Sequence, residues 1–442
     1  MTGLSLLDMA AILFGLAAIL GLINHHVFKL PFTIGMTFSA MLASLLVLVV
    51  DAMFPSMHLA QGVRTAISGI DFTYALLNGM LGYLLFAGAL HTDLESLKKF
   101  ATPVAALATI GTILATSLMG VGSYYVFEMI GITVPFLFCL IFGSLIAPTD
   151  PVAVLGIMRA AGAPRELEIK VIGESLFNDG IGVVIFAVLV GVATASMGGP
   201  GAEAAHGGGM SFGGVTALIA KEVVGGVLLG LVAGYSAYKA LCSIDEPNLE
   251  ILISIALVML VNFIAFKLHT SSPLACVIAG LFIGNRGRTL AMSDRTRAHL
   301  DIVWSFIDEA LNAILFLLIG LEILTFNFKG SILTAALIMI PLNLLARFIA
   351  VAVPINALKA IRMGFIKGSV RVLTWGGLKG GISIALAMSL PEFEGRAAVL
   401  SATYAIVMFS ILVQGLTVGK LIAYVVPEEL RQKKGDAAHG AH

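Results

Sequence analysis

The sequence predicts an all-α polytopic membrane protein with about 13 transmembrane helices. Three observations carry this expectation. Hydrophobic residues make up 59% of the 442-residue chain and charged residues only 12%, where a soluble domain carries about 25% charged residues. The mean hydropathy is +1.01. Apolar runs of about 20 residues recur along nearly the whole length, and a helix needs roughly that number to cross a hydrocarbon core ~30 Å thick. No soluble core could absorb so much apolar surface.

Hydropathy and helix breakers place the spans at about 5–24, 32–50, 70–90, 102–128, 133–158, 169–193, 212–238, 249–268, 273–285, 300–323, 331–356, 369–390 and 397–424. The first follows no basic segment and precedes no small-residue cleavage site, so it reads as a retained span and not a signal peptide. The fifth is interrupted by Pro148 and Pro151, and the sixth carries a polar stripe. After it, the glycine-rich stretch at about 194–211 reads as a flexible linker in which His206 is solvated. The seventh span has a partly interfacial start and the ninth is short. The eleventh holds Arg347, and the twelfth is weakened by four glycines. The chain closes in a short tail, 426–442, whose His439 and His442 read as disordered.

An odd number of spans puts the termini on opposite sides. Of the 26 basic residues, 19 fall in loops on the side of the C-terminus, four on the other side and three within spans. Basic residues near span ends stay cytoplasmic, so the C-terminus is expected inside and the N-terminus outside. The zero net charge excludes nucleic acid as a partner, because phosphate binding needs a basic face. Cys139, Cys242 and Cys276 lie in or beside apolar segments without metal or disulfide spacing, and read as packed hydrophobes.

Ionisable residues within a span are costly and need a reason. In IAPTDPVAV, residues 146–154, Pro151 suits the first position of a new half-helix capped by Asp150 or Thr149. A capped kink explains this alone. However, a broken helix at membrane depth survives only where its freed backbone groups face protein or a cavity. Freed carbonyls, a hydroxyl and a carboxylate together suit a desolvated hard cation. In GESLFNDGIG, residues 173–182, Glu174, Ser175, Asn178, Asp179 and Gly182 share one face about 140° wide at about 100° per residue. That face must turn inward, either as a packing network or as a site that cycles between proton and cation. Arg347 calls for a buried acid as its partner. Three acids against one arginine leave a carboxylate to be neutralised by a proton or a metal ion. In TWGGLKGGIS, residues 374–383, Gly376, Gly377, Gly380 and Gly381 break the helix around Lys379. Lys379 is read as offsetting half-helix carbonyl ends or snorkelling. Spans 4–6 and 11–13 thus form two inverted triplets, each with an interrupted middle helix. That is the mark of a midplane binding site where two broken helices cross.

On APTDPVAV, GESLFNDG and the glycine motif of span twelve, the chain resembles the NhaP-type monovalent cation:proton antiporters, bacterial relatives of the animal sodium/proton exchangers. The resemblance covers spans three to thirteen. It implies an antiporter domain over 1–425, with a core bundle at about 102–193 and 331–424 moving against a dimerisation bundle at about 5–90 and 212–323, in a homodimer of the bacterial inner membrane. It implies Asp179 as the ion-binding carboxylate beside Asn178. It also implies that Thr149, Asp150 and Ser175 help bind the cation, partly through backbone or water, and that Glu174–Arg347 form a stabilising ion pair between core helices. Asn178–Asp179 in place of two aspartates resembles the electroneutral branch, which exchanges one cation per proton. The chain departs from the family pattern at Ala87, where an acid is frequent, and at Lys379, where arginine is common.

No cofactor is implied, since there is no GxxxxGK[ST] phosphate loop. Sodium, lithium and potassium all remain compatible. A channel would call for rings of carbonyls or acids at a pore axis. An intramembrane hydrolase would need a base beside Ser175, which no deep histidine supplies, or an Asp150–Asp179 dyad, which stays open. His25, His26 and His91 lie near cytoplasmic ends as solvated or pH-sensing groups.

Overall fold

The computed structural model describes residues 6–54, 61, 75–196, 212–325 and 330–430. Among them the chain is helical, with no β-strand. The helices fall in the order expected: α1 (Leu6–Ile23), α2 (Phe32–Met53), α3 (Leu81–Leu90), α4 (Ala101–Ile130), α5a (Phe136–Ile146) and α5b (Val152–Ala160), α6 (Arg165–Ser196), α7 (Phe212–Leu241), α8 (Pro247–Leu268), α9 (Ser272–Phe282), α10 (Asp294–Leu321), α11 (Gly330–Ala360), α12a (Ser369–Trp375) and α12b (Gly381–Met388), and α13 (Arg396–Val425). Among the described residues nine stretches are long and apolar enough to cross a membrane, and α3 and α5a are shorter apolar helices. Large apolar side chains point outward, among them Phe14, Leu46, Leu252 and Phe266 at 52%, 63%, 60% and 70% exposure. Such a surface belongs in lipid.

Helix ends follow local chemistry. Gly131 takes φ +75 after α4, and Ile132 N–H reaches back to the Phe127 carbonyl at 2.9 Å, a left-handed stop that glycine adopts without strain. Ser271 and Ser293 cap α9 and α10, accepting from Leu274 N–H and Thr296 N–H. Helices meet through small residues, since packing and not water expulsion drives association in lipid. A Cβ on Gly143 of α5a would sit 2.9 Å from the Gly120 backbone nitrogen of α4, so these two helices touch backbone to backbone. Trp304 of α10 donates its indole N–H to Ser254 of α8 at 2.9 Å and packs on Phe86 at 4.6 Å between ring centres.

Several details differ from the sequence expectation. α6 begins at Arg165, not near 169, because Pro164 leads directly into the helix. Lys170, counted among the 19 basic residues of the loops on the C-terminal side, is therefore fully buried. Its ammonium lies 4.2 Å from the Phe365 ring centre and 5.0 Å from that of Phe100, and pairs with Glu166. Wider π-helical turns interrupt otherwise regular helices, including Leu107–Gly111 in α4 and Ser410–Gln414 in α13. A one-residue bulge leaves an apolar pattern intact, so hydropathy cannot reveal it. Most of the glycine-rich linker, with His206, and the tail from 431, with His439 and His442, lie outside the described residues.

Candidate ion site at the crossing of two broken helices

The site is built where α5 and α12 lose their helical hydrogen bonds. After α5a, the chain runs unwound through Ala147–Pro151, and α5b then starts with Val152 N–H donating to Asp150 Oδ1 at 2.9 Å. After α12a, the glycines open the chain through Gly376–Gly380. The two breaks bind each other. Asp150 N–H donates to the Leu378 carbonyl at 2.8 Å, and Lys379 Nζ donates to the Ala147 and Pro148 carbonyls at 3.0 and 3.1 Å. Lys379 is 2% exposed, and its charge answers the carbonyl end of α5a. Glycine is required at Gly380, because a Cβ there would lie 2.9 Å from the Asp150 Cβ and 3.0 Å from its carboxyl carbon. The π turn of α13 aims two polar groups at this break: Ser410 Oγ accepts from Lys379 N–H at 2.8 Å, and Gln414 donates to the Trp375 carbonyl at 3.1 Å.

The polar stripe of α6 faces the break in α5. Thr149 Oγ1 is the hub, 3.0 Å from Ser175 Oγ and accepting from Asn178 Nδ2 at 2.9 Å. Asn178 Oδ1 in turn accepts from Thr149 N–H at 3.3 Å. Gly182 lets α6 close on Pro148, whose Cδ would lie 3.0 Å from an added Cβ. At the other edge of the stripe, Arg347 of α11 donates to Glu174 Oε1 at 2.5 Å and to the Leu373 carbonyl at 3.2 Å.

Asp179 is different. It is 4% exposed, and among the described residues no group donates a hydrogen bond to its carboxylate. The charges acting on it are those of Asp150 and Lys379. It borders a cavity of about 70 Å³ together with Thr149, Asp150, Asn312, Ser383 and an apolar wall that includes Leu84 and Leu315. That volume admits a small ion with a few waters. Thr149, Asp150 and Asp179 thus border the cavity directly. Ser175 and Asn178 stand behind Thr149 and hold it, and Glu174 with Arg347 lies away from the cavity. Ala87 is buried in the apolar cluster around Trp304 and Phe86 and does not border it.

Three residues that sequence reasoning passed over belong to this region. Asn312 of α10 and Ser383 of α12b border the cavity, 3% and 1% exposed, and Ser383 Oγ has no partner among the described residues. Asp308, one turn from Asn312, accepts from Asn312 Nδ2 at 3.1 Å. The signal was available, since an acid within an apolar span is rare. Around the cavity and the helix crossing, four carboxylates (Asp150, Glu174, Asp179, Asp308) therefore stand against two basic side chains (Arg347, Lys379), not three against one, and the acids remain in excess. Beyond α3, His91 is pushed down to about 4 by burial and by the Arg288 guanidinium, which also pairs with Asp301. It stays neutral at ordinary pH.

Comparison with known proteins agrees with this architecture. Residues 14–423 match the family model of the transmembrane sodium/hydrogen exchangers. The chain is 40% identical over 441 residues to the Na(+)/H(+) antiporter NhaP of Pseudomonas aeruginosa, covering 99% of this chain and 100% of that protein. It is 32% identical to the Na(+)/H(+) antiporter NhaH of Halobacillus dabanensis, over 79% of this chain and 83% of that protein. Its fold resembles the structure of the sodium proton antiporter MjNhaP1 from Methanocaldococcus jannaschii at pH 8, with a TM-score of 0.72 at 18% identity, covering 96% of this chain and 99% of that one. A full-length family match, the close bacterial relative and the shared helical architecture lead to one conclusion: the chain belongs to the transmembrane sodium/hydrogen exchanger family.

Proposed function

We propose that this protein is a secondary transporter, not an enzyme, that exchanges sodium for protons, with Asp179 holding the two ions in turn. The relatives named Na(+)/H(+) antiporters support the reaction. The observation that carries the residue assignment is the Asp179 carboxylate, buried against a cavity of ionic size without a hydrogen-bond donor among the described residues. A bare charge there is several kcal/mol less stable than a neutralised one, and either a proton or a cation neutralises it.

Competition for one carboxylate couples the two fluxes. The empty, charged site crosses between the two sides too slowly to matter, so each crossing carries one ion or the other. Asp150 and Thr149 complete the cation's shell, directly or through water. Ser175 and Asn178 fix the Thr149 hydroxyl, and Asn178 adds no second charge, so exchange is one cation per proton. Glu174–Arg347 ties α6 to α11, and Lys379 holds the crossing together. The core bundle, about 102–193 and 331–424, moves against a dimerisation bundle, about 5–90 and 212–323, within a homodimer. The N-terminus lies outside and the C-terminus in the cytoplasm of a bacterial inner membrane.

The test is a pH-dye dequenching assay in proteoliposomes, with sodium, lithium, potassium and choline added in turn. Sodium is expected to dissipate a preformed proton gradient in wild-type vesicles and to do nothing in Asp179→Asn vesicles. Equal dissipation by wild-type and variant protein would reject the assignment of Asp179. Peptide cleavage without ion flux would reject transport.

A further inference from the structure

We infer that Asp308 and Asn312 of α10 form a second cation station, through which sodium passes between the protein face bearing Asp294 and the carboxylate of Asp179. The inference rests on the proposed exchange and names a part of the path that exchange does not require.

Asp308 sits 14 residues into α10, about 21 Å along the helix from Asp294 at roughly 1.5 Å per residue. It is half-buried within an apolar span. Among the described residues no basic side chain lies within ion-pair distance of it, and the charges acting on it, Asp150 and Glu309, are acids. A lone carboxylate in that position gains nothing from packing, which asparagine or serine would serve as well.

Asn312 links this carboxylate to the cavity. Its Nδ2 donates to both the Asp308 carbonyl and Oδ1, at 2.9 and 3.1 Å. That fixes the amide with its nitrogen towards Asp308 and leaves Oδ1 without a donor among the described residues. Asn312 is 3% exposed and borders the same cavity as Asp150 and Asp179. Across that cavity, Ser383 Oγ is buried without a partner among the described residues. These orphan oxygens supply what a cation needs between one carboxylate and the next. A sodium ion held by Asp308 and Asn312 Oδ1 also relieves the repulsion between Asp308 and Asp150, so the station favours cations and not anions or neutral solutes.

The experiment compares wild-type, Asp308→Asn, Asp308→Glu and Asn312→Asp protein in vesicles of sorted orientation, measuring KM and kcat for sodium supplied from each side. A unit charge about 10 Å away through an effective dielectric of about 20 shifts occupancy by about tenfold. Asp308→Asn is therefore expected to raise KM for sodium about tenfold from the Asp294 side only, with kcat little changed. Asp308→Glu restores KM, and Asn312→Asp, which adds charge to the station, lowers it. An unchanged KM in well-folded Asp308→Asn protein overturns the station, as does a loss confined to kcat and equal from both sides. If Asp308→Asn fails to fold, an unchanged KM in Asn312→Asp overturns it instead. Absence of exchange by the wild-type protein would overturn the proposed function, and the station with it.

Discussion

Replacing either member of the Glu174–Arg347 pair tests how the core helices are held together. Both side chains are almost fully buried, at 2% and 6% exposure, and among the described residues the guanidinium otherwise reaches only the Leu373 carbonyl. Its Nε has no partner among the described residues. Two unit charges about 4 Å apart attract by about 4 kcal/mol at an effective dielectric of about 20. Breaking a buried pair by removing one partner costs about 3–5 kcal/mol, which agrees. Glu174→Gln and Arg347→Gln should each destabilise the protein by that amount, read as melting temperature or denaturant midpoint of purified protein in detergent. The double variant should recover part of the loss, because neither survivor is left charged. The two single losses should also differ with pH. A stranded carboxyl can take up a proton, whereas a guanidinium cannot shed one. Acidification should therefore rescue Arg347→Gln but not Glu174→Gln. Losses that add within about 0.5 kcal/mol across the double-mutant cycle would show that the two groups do not interact.

Other substitutions probe the site itself. Asp179→Asn should fold and insert normally yet exchange no sodium at any pH, while Asp179→Glu should keep at most weak activity with altered KM, both measured by dye dequenching. In the wild-type protein, KM for sodium should rise as pH falls, because protons compete for the same carboxylate; a KM independent of pH would refute competition. Exchange should be indifferent to a valinomycin-imposed potential, and voltage-stimulated turnover would refute one-for-one stoichiometry. His91→Gln should leave the pH profile of exchange unmoved, since His91 already stays neutral down to about 4; a shifted profile would show that it titrates in the working range.

The helix order was legible because each span announces itself through about 20 apolar residues between polar loops, and the two breaks because proline and glycine are the residues that interrupt helices. The stripe on α6 could be read from angular spacing alone. What could not be read is what those residues touch. Lys379 was recognisable as the charge at a broken helix, but its acceptors, Ala147 and Pro148, lie more than 200 positions away. Lys170 sits between Phe100 and Phe365, rings that only folding brings together. Ser175 and Asn178 could be placed on the stripe beside Asp179, but not their hold on the Thr149 hydroxyl, which lies on another helix. Asp308 was missed for a simpler reason: an apolar run was counted as a span without asking what its acid was for.

The bonds that join the two breaks span 228 to 232 residues, and this sets an order of events during synthesis. When α5 leaves the ribosome, α6 follows within a few dozen residues and can engage Thr149. The Ala147 and Pro148 carbonyls and the Asp150 N–H, by contrast, have to wait for Leu378 and Lys379. Until most of the chain has been made, those groups are exposed to lipid or sheltered by the insertion machinery. The centre of the nascent protein thus stays incomplete until nearly the last helix arrives.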